Sequence, residues 1–75
     1  MDPILSLDMD LRFEIIKYNS ADIQTRNQIQ NVIRALQIQL AKLGKNVEIM
    51  ILPNGDLLTR DQLSDAYAAS LQSFA

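Results

Sequence analysis

The chain has 75 residues, a formal net charge of −2, and neither cysteine nor histidine. Without cysteine it can form no disulfide and no thiolate metal site. Without histidine it lacks the commonest metal ligand and the commonest acid–base catalyst. A chain of this length folds as one small domain, residues 1–75, with a modest core. Small domains commonly rely on a disulfide, a metal or another subunit, so the composition favours oligomerisation.

The same composition limits the partners. No apolar run is long enough to cross a membrane, and the N-terminus lacks the basic head of a secretory signal. We therefore expect a cytoplasmic protein, or one of the host cytoplasm if it is viral, with no membrane contact. The acidic balance disfavours nucleic acid. The basic residues of the central segment, Arg26, Arg34 and Lys42, are eight residues apart, so on a helix they would point in successively different directions and not form one basic stripe. No aromatic residue that could stack on bases lies between them.

The first segment alternates apolar and polar residues. Its apolar set is Leu5, Leu7, Met9, Leu11, Phe13 and Ile15. This alternation predicts a half-buried strand. A helix from about Asp8 to Tyr18 is the alternative, and it would make the protein mainly α. That alternative draws support from the aspartates, which are poor strand residues, and from the Ile15–Ile16 pair, which breaks the alternation.

A long helix is predicted next. Ser20 is a suitable N-cap, and Asp22 falls in the first turn, where its charge complements the helix dipole. Nothing between Ala21 and Leu43 breaks a helix, and Gly44 stops it. Such a helix is about 35 Å long. That is long for so short a chain to cover.

A hairpin and a last helix complete the chain. Residues 47–52 are predicted to form a strand that ends at Pro53. Asn54-Gly55 is predicted to form a tight turn, and residues 56–58 a strand that returns along the first. Thr59 and Gln62 match a capping box that begins an amphipathic helix. The predicted fold is therefore α+β, with a long central helix, a short sheet or hairpin around residues 46–58 and a C-terminal amphipathic helix. An N-terminal strand could also form a right-handed βαβ unit with the strand at 47–52.

Nothing in the sequence indicates catalysis, so we expect no enzyme, no cofactor and no small-molecule substrate. The two glycines, Gly44 and Gly55, are isolated and cannot form a phosphate-binding loop. Two pairs of acids, Asp10 with Glu14 and Asp61 with Asp65, are four residues apart and could share a helix face. A solvated face and compensation of the helix dipole explain them without a metal.

The central helix is the predicted contact surface. Its apolar stripe has a partly heptad-like spacing, as a two-helix seam would, although one helix lying on its own sheet also explains it. An uncharged amide band runs beside the stripe, and depletion of charge is typical of interface centres. The predicted interface residues are Ile29, Val32, Ile33, Leu36, Leu40, Leu43, Gln28, Asn31, Ala35, Gln39 and Ile38. Tyr67, Leu71 and Phe74 of the last helix are predicted to dock on another surface.

We therefore expect a non-enzymatic protein-interaction module that associates with itself and acts as an accessory or inhibitory protein by binding an unidentified partner protein. Two alternatives remain open. One is a small nucleic-acid-binding regulator whose basic residues assemble on dimerisation. The other is a structural subunit of a larger assembly, for example a viral one.

Overall fold

The N-terminal segment is a helix, so the prediction of a strand there is wrong and the alternative is correct. The computed structural model describes the backbone of residues 2–73 and the side chains of residues 2–69. Helix α1 spans Pro3–Ser20. The Asp2 side chain caps it by accepting the Ile4 backbone N–H at 2.9 Å. Pro3 fits the first turn because a backbone N–H at this position, which proline lacks, would have no acceptor within the helix.

The misleading alternation arose from two helical stripes on opposite faces of α1. Leu7, Leu11 and Ile15 recur at steps of four and belong to the core or pack against it. Leu5, Met9 and Phe13 also recur at steps of four, but they are exposed. Two such stripes, offset by two residues, give the same period-two pattern as a strand. Because the segment is helical, the βαβ unit predicted from it is wrong too.

Helix α2 spans Ile23–Lys42, slightly shorter than predicted. Its cap is Asp22 and not Ser20, because α1 continues through Ser20. Hydrogen bonds from the side chain and the backbone N–H of Thr25 lower the pKa of the Asp22 carboxyl. At the other end, the backbone N–H groups of Gly44 and Lys45 return to the carbonyls of Ala41 and Leu40. Gly44 has the positive φ of 91° that this ending needs, as predicted.

The hairpin pairs β1, Ile49–Ile51, with β2, Leu57–Thr59, in antiparallel register. Its turn contains Pro53 and Asn54 and closes with Gly55, whose φ is 89°. Helix α3, Arg60–Ser73, follows β2 without a break. The predicted capping box is present: Gln62 Oε1 accepts the Thr59 N–H at 3.0 Å, and Thr59 Oγ1 accepts the Gln62 N–H at 3.1 Å. The described chain is thus a small α+β fold of three helices and one hairpin.

The core lies between α1, α2 and the hairpin. Its buried apolar residues are Leu11, Ile15, Ile33, Leu40 and Leu57. The two helices are joined only by residues 21–22 and pack along each other. The Asp8 carboxylate near the start of α1 contacts Lys45 Nζ, just past the end of α2, at 3.4 Å. This ion pair links the two helices at their open end, which is the end away from the connection at residues 21–22; we call the connected end the closed end.

Two polar side chains at the closed end hold the hairpin on the helices. Asn19 Nδ2 donates to the Leu57 carbonyl at 2.9 Å, and Asn19 Oδ1 accepts the Leu57 N–H at 2.8 Å. The Arg26 guanidinium donates to the carbonyls of Asn19 and Gly55 and pairs with the Asp56 carboxylate at 3.2 Å. It also lies over the Tyr18 ring, 5.0 Å from its centroid. These contacts connect both helices to the turn of the hairpin.

Replacing Asn19 with alanine is expected to lower the free energy of unfolding by about 2 kcal/mol, because two partly buried backbone groups of Leu57 lose their partners. Urea denaturation followed by circular dichroism measures the change. Asn27→Ala is the matched control: Asn27 is exposed on α2 and has no side-chain partner among the described residues. It is expected to change stability by less than about 0.5 kcal/mol. Equal losses in the two variants would contradict the role of Asn19.

Candidate protein-interaction surfaces

The structure places much of the predicted α2 stripe inside the chain's own fold. Ile33 and Leu40 are buried, and Ile29 and Leu36 are partly buried and packed against the same core. These four residues are therefore occupied by intramolecular packing and are not surface contacts. Val32 and Leu43, at the margin of the stripe, remain exposed. The central helix was predicted to display its stripe because the sequence does not reveal that α1 is a helix that can cover it.

The amide band lies on a solvent-exposed side of α2, beside the stripe that packs into the core, and we call this surface the outer face of α2. Gln28, Asn31, Ala35 and Gln39 are all exposed there. Ile38 is 50% exposed at the edge of this face. The band therefore lies where the prediction put it, but it presents mainly amides, which water solvates well.

Helix α3 exposes the described part of its predicted docking stripe. Leu63 and Tyr67 are exposed and, with Arg60 and Ser64, line a shallow hollow. Strand β2 is the principal neighbour of α3. The Leu71 side chain and the whole of Phe74 lie outside the described residues. The predicted docking stripe is thus described only in part.

A row of exposed apolar residues on α1 is a surface that the sequence did not reveal. Leu5, Met9, Phe13 and Ile16 follow one another at steps of four, four and three along α1, and we call this row the outer face of α1. Their exposed fractions are 56%, 55%, 65% and 59%, respectively. All four lie on the side of α1 that points away from the core residues Leu11 and Ile15. No other part of the described chain covers this row.

Helix α1 carries apolar residues on two opposite sides, with charged residues such as Asp10 and Lys17 between them. A helix that is apolar all round is normally buried, whereas a surface helix is polar on its outer side. Contiguous apolar patches of more than a few hundred Å² are rare on monomers and usually mark contact sites. The outer face of α1 therefore has the character of an interface more than any other described surface.

The charges offer little for a polyanion to bind. Five of the seven basic side chains form ion pairs with acids of the same chain. The remaining two, Arg34 and Lys42, have no acidic partner within residues 2–69. Most of the positive charge is thus locally neutralised. This distribution does not form the basic surface that phosphate backbones require.

Within the described part of the chain, no group of three or more acidic side chains is placed to hold a metal ion. None of the helices there combines the length and apolarity needed to span a membrane. The chain matches no protein-family model, and no curated protein or solved structure matches it significantly.

The two faces of α1 are expected to respond differently to truncation. Leu11→Ala removes a fully buried side chain and should lower the free energy of unfolding by about 2–5 kcal/mol. Met9→Ala, on the outer face of α1, should lower it by less than about 1 kcal/mol in dilute solution, where association does not contribute. Urea denaturation measures both. Similar losses would indicate that the two residues share one buried face, as they would in a strand.

Proposed function

We propose that the protein is a non-enzymatic interaction module whose copies associate through the outer face of α1 and which acts as an accessory or inhibitory protein by occupying a surface of a partner protein. The observation that carries the proposal is the row of Leu5, Met9, Phe13 and Ile16, which is exposed although it is apolar throughout. Burial of apolar area is the main favourable term in protein association. A surface of this kind gains most from being covered by another apolar surface.

A second copy of the chain is the occupant that fits this row best. In a two-fold antiparallel pair, Leu5 of one copy opposes Ile16 of the other, and Met9 opposes Phe13, so the row is complementary to itself. The helix dipoles then run in opposite directions. Asp2 at the start of one α1 also lies near Lys17 at the end of the other, which places opposite charges side by side. A parallel pair would instead place like charges together.

The nucleic-acid alternative receives no support from the charges, because most basic side chains are already paired with acids. The third possibility, a structural subunit of a larger assembly, requires more than one self-association surface. A single two-fold contact through α1 closes at two copies. Particle or filament formation would therefore favour the third possibility over the proposed one.

The association is tested with Phe13→Glu, which places a carboxylate at the middle of the outer face of α1. We expect the unmodified chain to form dimers in sedimentation equilibrium and the variant to dissociate, with the dissociation constant raised more than about a hundredfold, because the contact would bury an unpaired charge. Circular dichroism should show the same helicity, since Phe13 is largely exposed within the monomer.

Val32→Glu is the matched control, because Val32 is an exposed apolar residue of α2 outside the proposed contact. This variant is expected to dimerise like the unmodified chain. Loss of the dimer in Val32→Glu but not in Phe13→Glu would move the contact to α2, as the sequence alone suggested. A chain that stays monomeric at every concentration would overturn the proposed self-association.

A further inference from the structure

The outer edge of β1 carries backbone groups that the hairpin leaves unpaired. The Leu52 N–H donates to the Asp56 carbonyl and the Arg60 N–H to the Glu48 carbonyl, so the even-numbered residues of β1 face β2. In an antiparallel ladder of this register, the N–H and C=O groups of Ile49 and Ile51 therefore point away from β2. No hydrogen bond to these four groups is found within residues 2–73.

The outer edge of β2 differs from that of β1, because side chains bind its backbone N–H and C=O groups. The side chain of Asn19 binds both the N–H and the C=O of Leu57, as a neighbouring strand would. The Thr59 N–H is bound by the Gln62 side chain. Proteins normally protect exposed strand edges, because such edges accept further strands. Among the described residues, side chains thus protect the β2 edge at Leu57 and Thr59, whereas on the β1 side a side chain binds only the Val47 carbonyl, before the strand begins, and none binds Ile49 or Ile51.

A groove runs along the open edge, between β1 and the flank of α2. It consists of two hollows of about 280 and 190 Å³ that share the side chains of Arg34 and Gln37. Ile38 and Ala41 line the first hollow. Ile49 and Ile51 line the second, and Ile51 is 76% exposed. The groove therefore combines apolar walls with one cation, the Arg34 guanidinium, that lacks an acidic partner among the described residues.

We propose that this edge binds an extended segment of the partner protein as a third strand of the sheet. The segment exchanges backbone hydrogen bonds with Ile49 and Ile51, and its inward-facing side chains lie in the groove. Apolar side chains contact Ile38, Ala41 and Ile51, and an acidic side chain between them pairs with Arg34. The inference deepens the proposed function, because it rests on the chain acting through a partner protein, but it does not depend on the α1 contact.

A second copy fits this edge poorly. The Gln37 side chain donates to the Val47 carbonyl, just before β1, at 3.1 Å, and Gln37 also lines a hollow with Ile49 and Ile51, so the flank of α2 lies beside β1. Two identical antiparallel strands are related by a two-fold axis perpendicular to the sheet, which would bring the second α2 to the same side. Paired strands are about 4.8 Å apart, whereas packed helices need about 8–10 Å. An extended segment without a helix beneath it meets no such obstacle.

The test uses a capped seven-residue peptide in which threonine alternates with valine, glutamate and valine. On titration into ¹⁵N-labelled protein, the amide resonances of Ile49 and Ile51 are expected to shift and their hydrogen exchange to slow. The same peptide with lysine in place of glutamate, or the Arg34→Gln variant, should bind about two- to fivefold more weakly. No response of these two amides at millimolar peptide would overturn the proposal.

Two variants of one residue separate the backbone from the side chain. Ile51→Pro removes an N–H that points away from β2, a position where an edge strand tolerates proline, and should weaken peptide binding at least about fivefold. Ile51→Ala keeps that N–H and should weaken binding less. The Met50 amide, which faces β2, reports whether the hairpin is intact in both variants. Equal binding by the two variants would contradict strand addition.

The peptide titration is repeated on the Phe13→Glu variant. Peptide binding there is expected to match the unmodified chain, since α1 is not part of the groove. Failure of the α1 contact and failure of strand addition are therefore seen separately, the first by sedimentation and the second by the Ile49 and Ile51 amides. Shifts of these amides with protein concentration alone, without peptide, would show that a second copy occupies the edge and would overturn the proposal.

Discussion

The structure depends on α1 carrying large apolar residues on two opposite sides, with polar and charged residues between them. One side supplies Leu11 and Ile15, which are almost completely buried, and allows α2 and the hairpin to form a core. The opposite side supplies the outer face of α1, with equally large side chains that nothing in the described part of the chain covers. The core of so small a chain contributes only a small net free energy of folding. The helix that the fold requires is thus also the helix through which we propose that the chain associates.

The polar contacts decide which other surfaces remain available. Asn19 and Arg26 hold the hairpin over the closed end of the helix pair, and Asn19 closes the β2 edge as it does so. The β1 edge, beside α2, has no equivalent side chain along Ile49 and Ile51 within the described residues. Because the hairpin packs on the inner side of α1 and is held through β2, two distinct surfaces stay exposed: the outer face of α1 and the outer edge of β1. They lie on different elements, so a dimer formed through α1 can offer two copies of the strand site to a partner.

Features with a local cause could be predicted from the sequence. The helix stop at Gly44, the turn at Asn54-Gly55 and the capping box of Thr59 and Gln62 each depend on a few neighbouring residues, and all three are present. The α1 segment was mispredicted because its two helical stripes, offset by two residues, reproduce the period of a strand. The aspartates and the Ile15–Ile16 pair are local signals that favour a helix, but they are weaker than the alternation, and tertiary packing determines which of Met9 and Leu11 is buried.

The candidate sites were harder to predict for the same reason. A strand would place Leu5, Met9 and Phe13 on the same buried side as Leu7, Leu11 and Ile15, so the sequence indicated no exposed apolar row there, and the interface was predicted on α2, which looked too long for the chain to cover on more than one side. In the structure α1 covers Ile33 and Leu40, so the exposed apolar row shifts from α2 to α1. The contacts of Asn19 with Leu57 span 38 residues, and no local pattern signals them. The open β1 edge likewise follows from the ladder register, which depends on how the hairpin docks.

The most direct test of the central claim is an isotope-filtered nuclear Overhauser experiment on a mixture of labelled and unlabelled chains. Cross-peaks between the Met9 methyl group of one copy and the Phe13 ring of another are expected, because the antiparallel pair places these side chains opposite each other. Intermolecular cross-peaks confined to Val32, Ile38 or other residues of α2, or a complete lack of intermolecular cross-peaks at millimolar protein, would contradict the account.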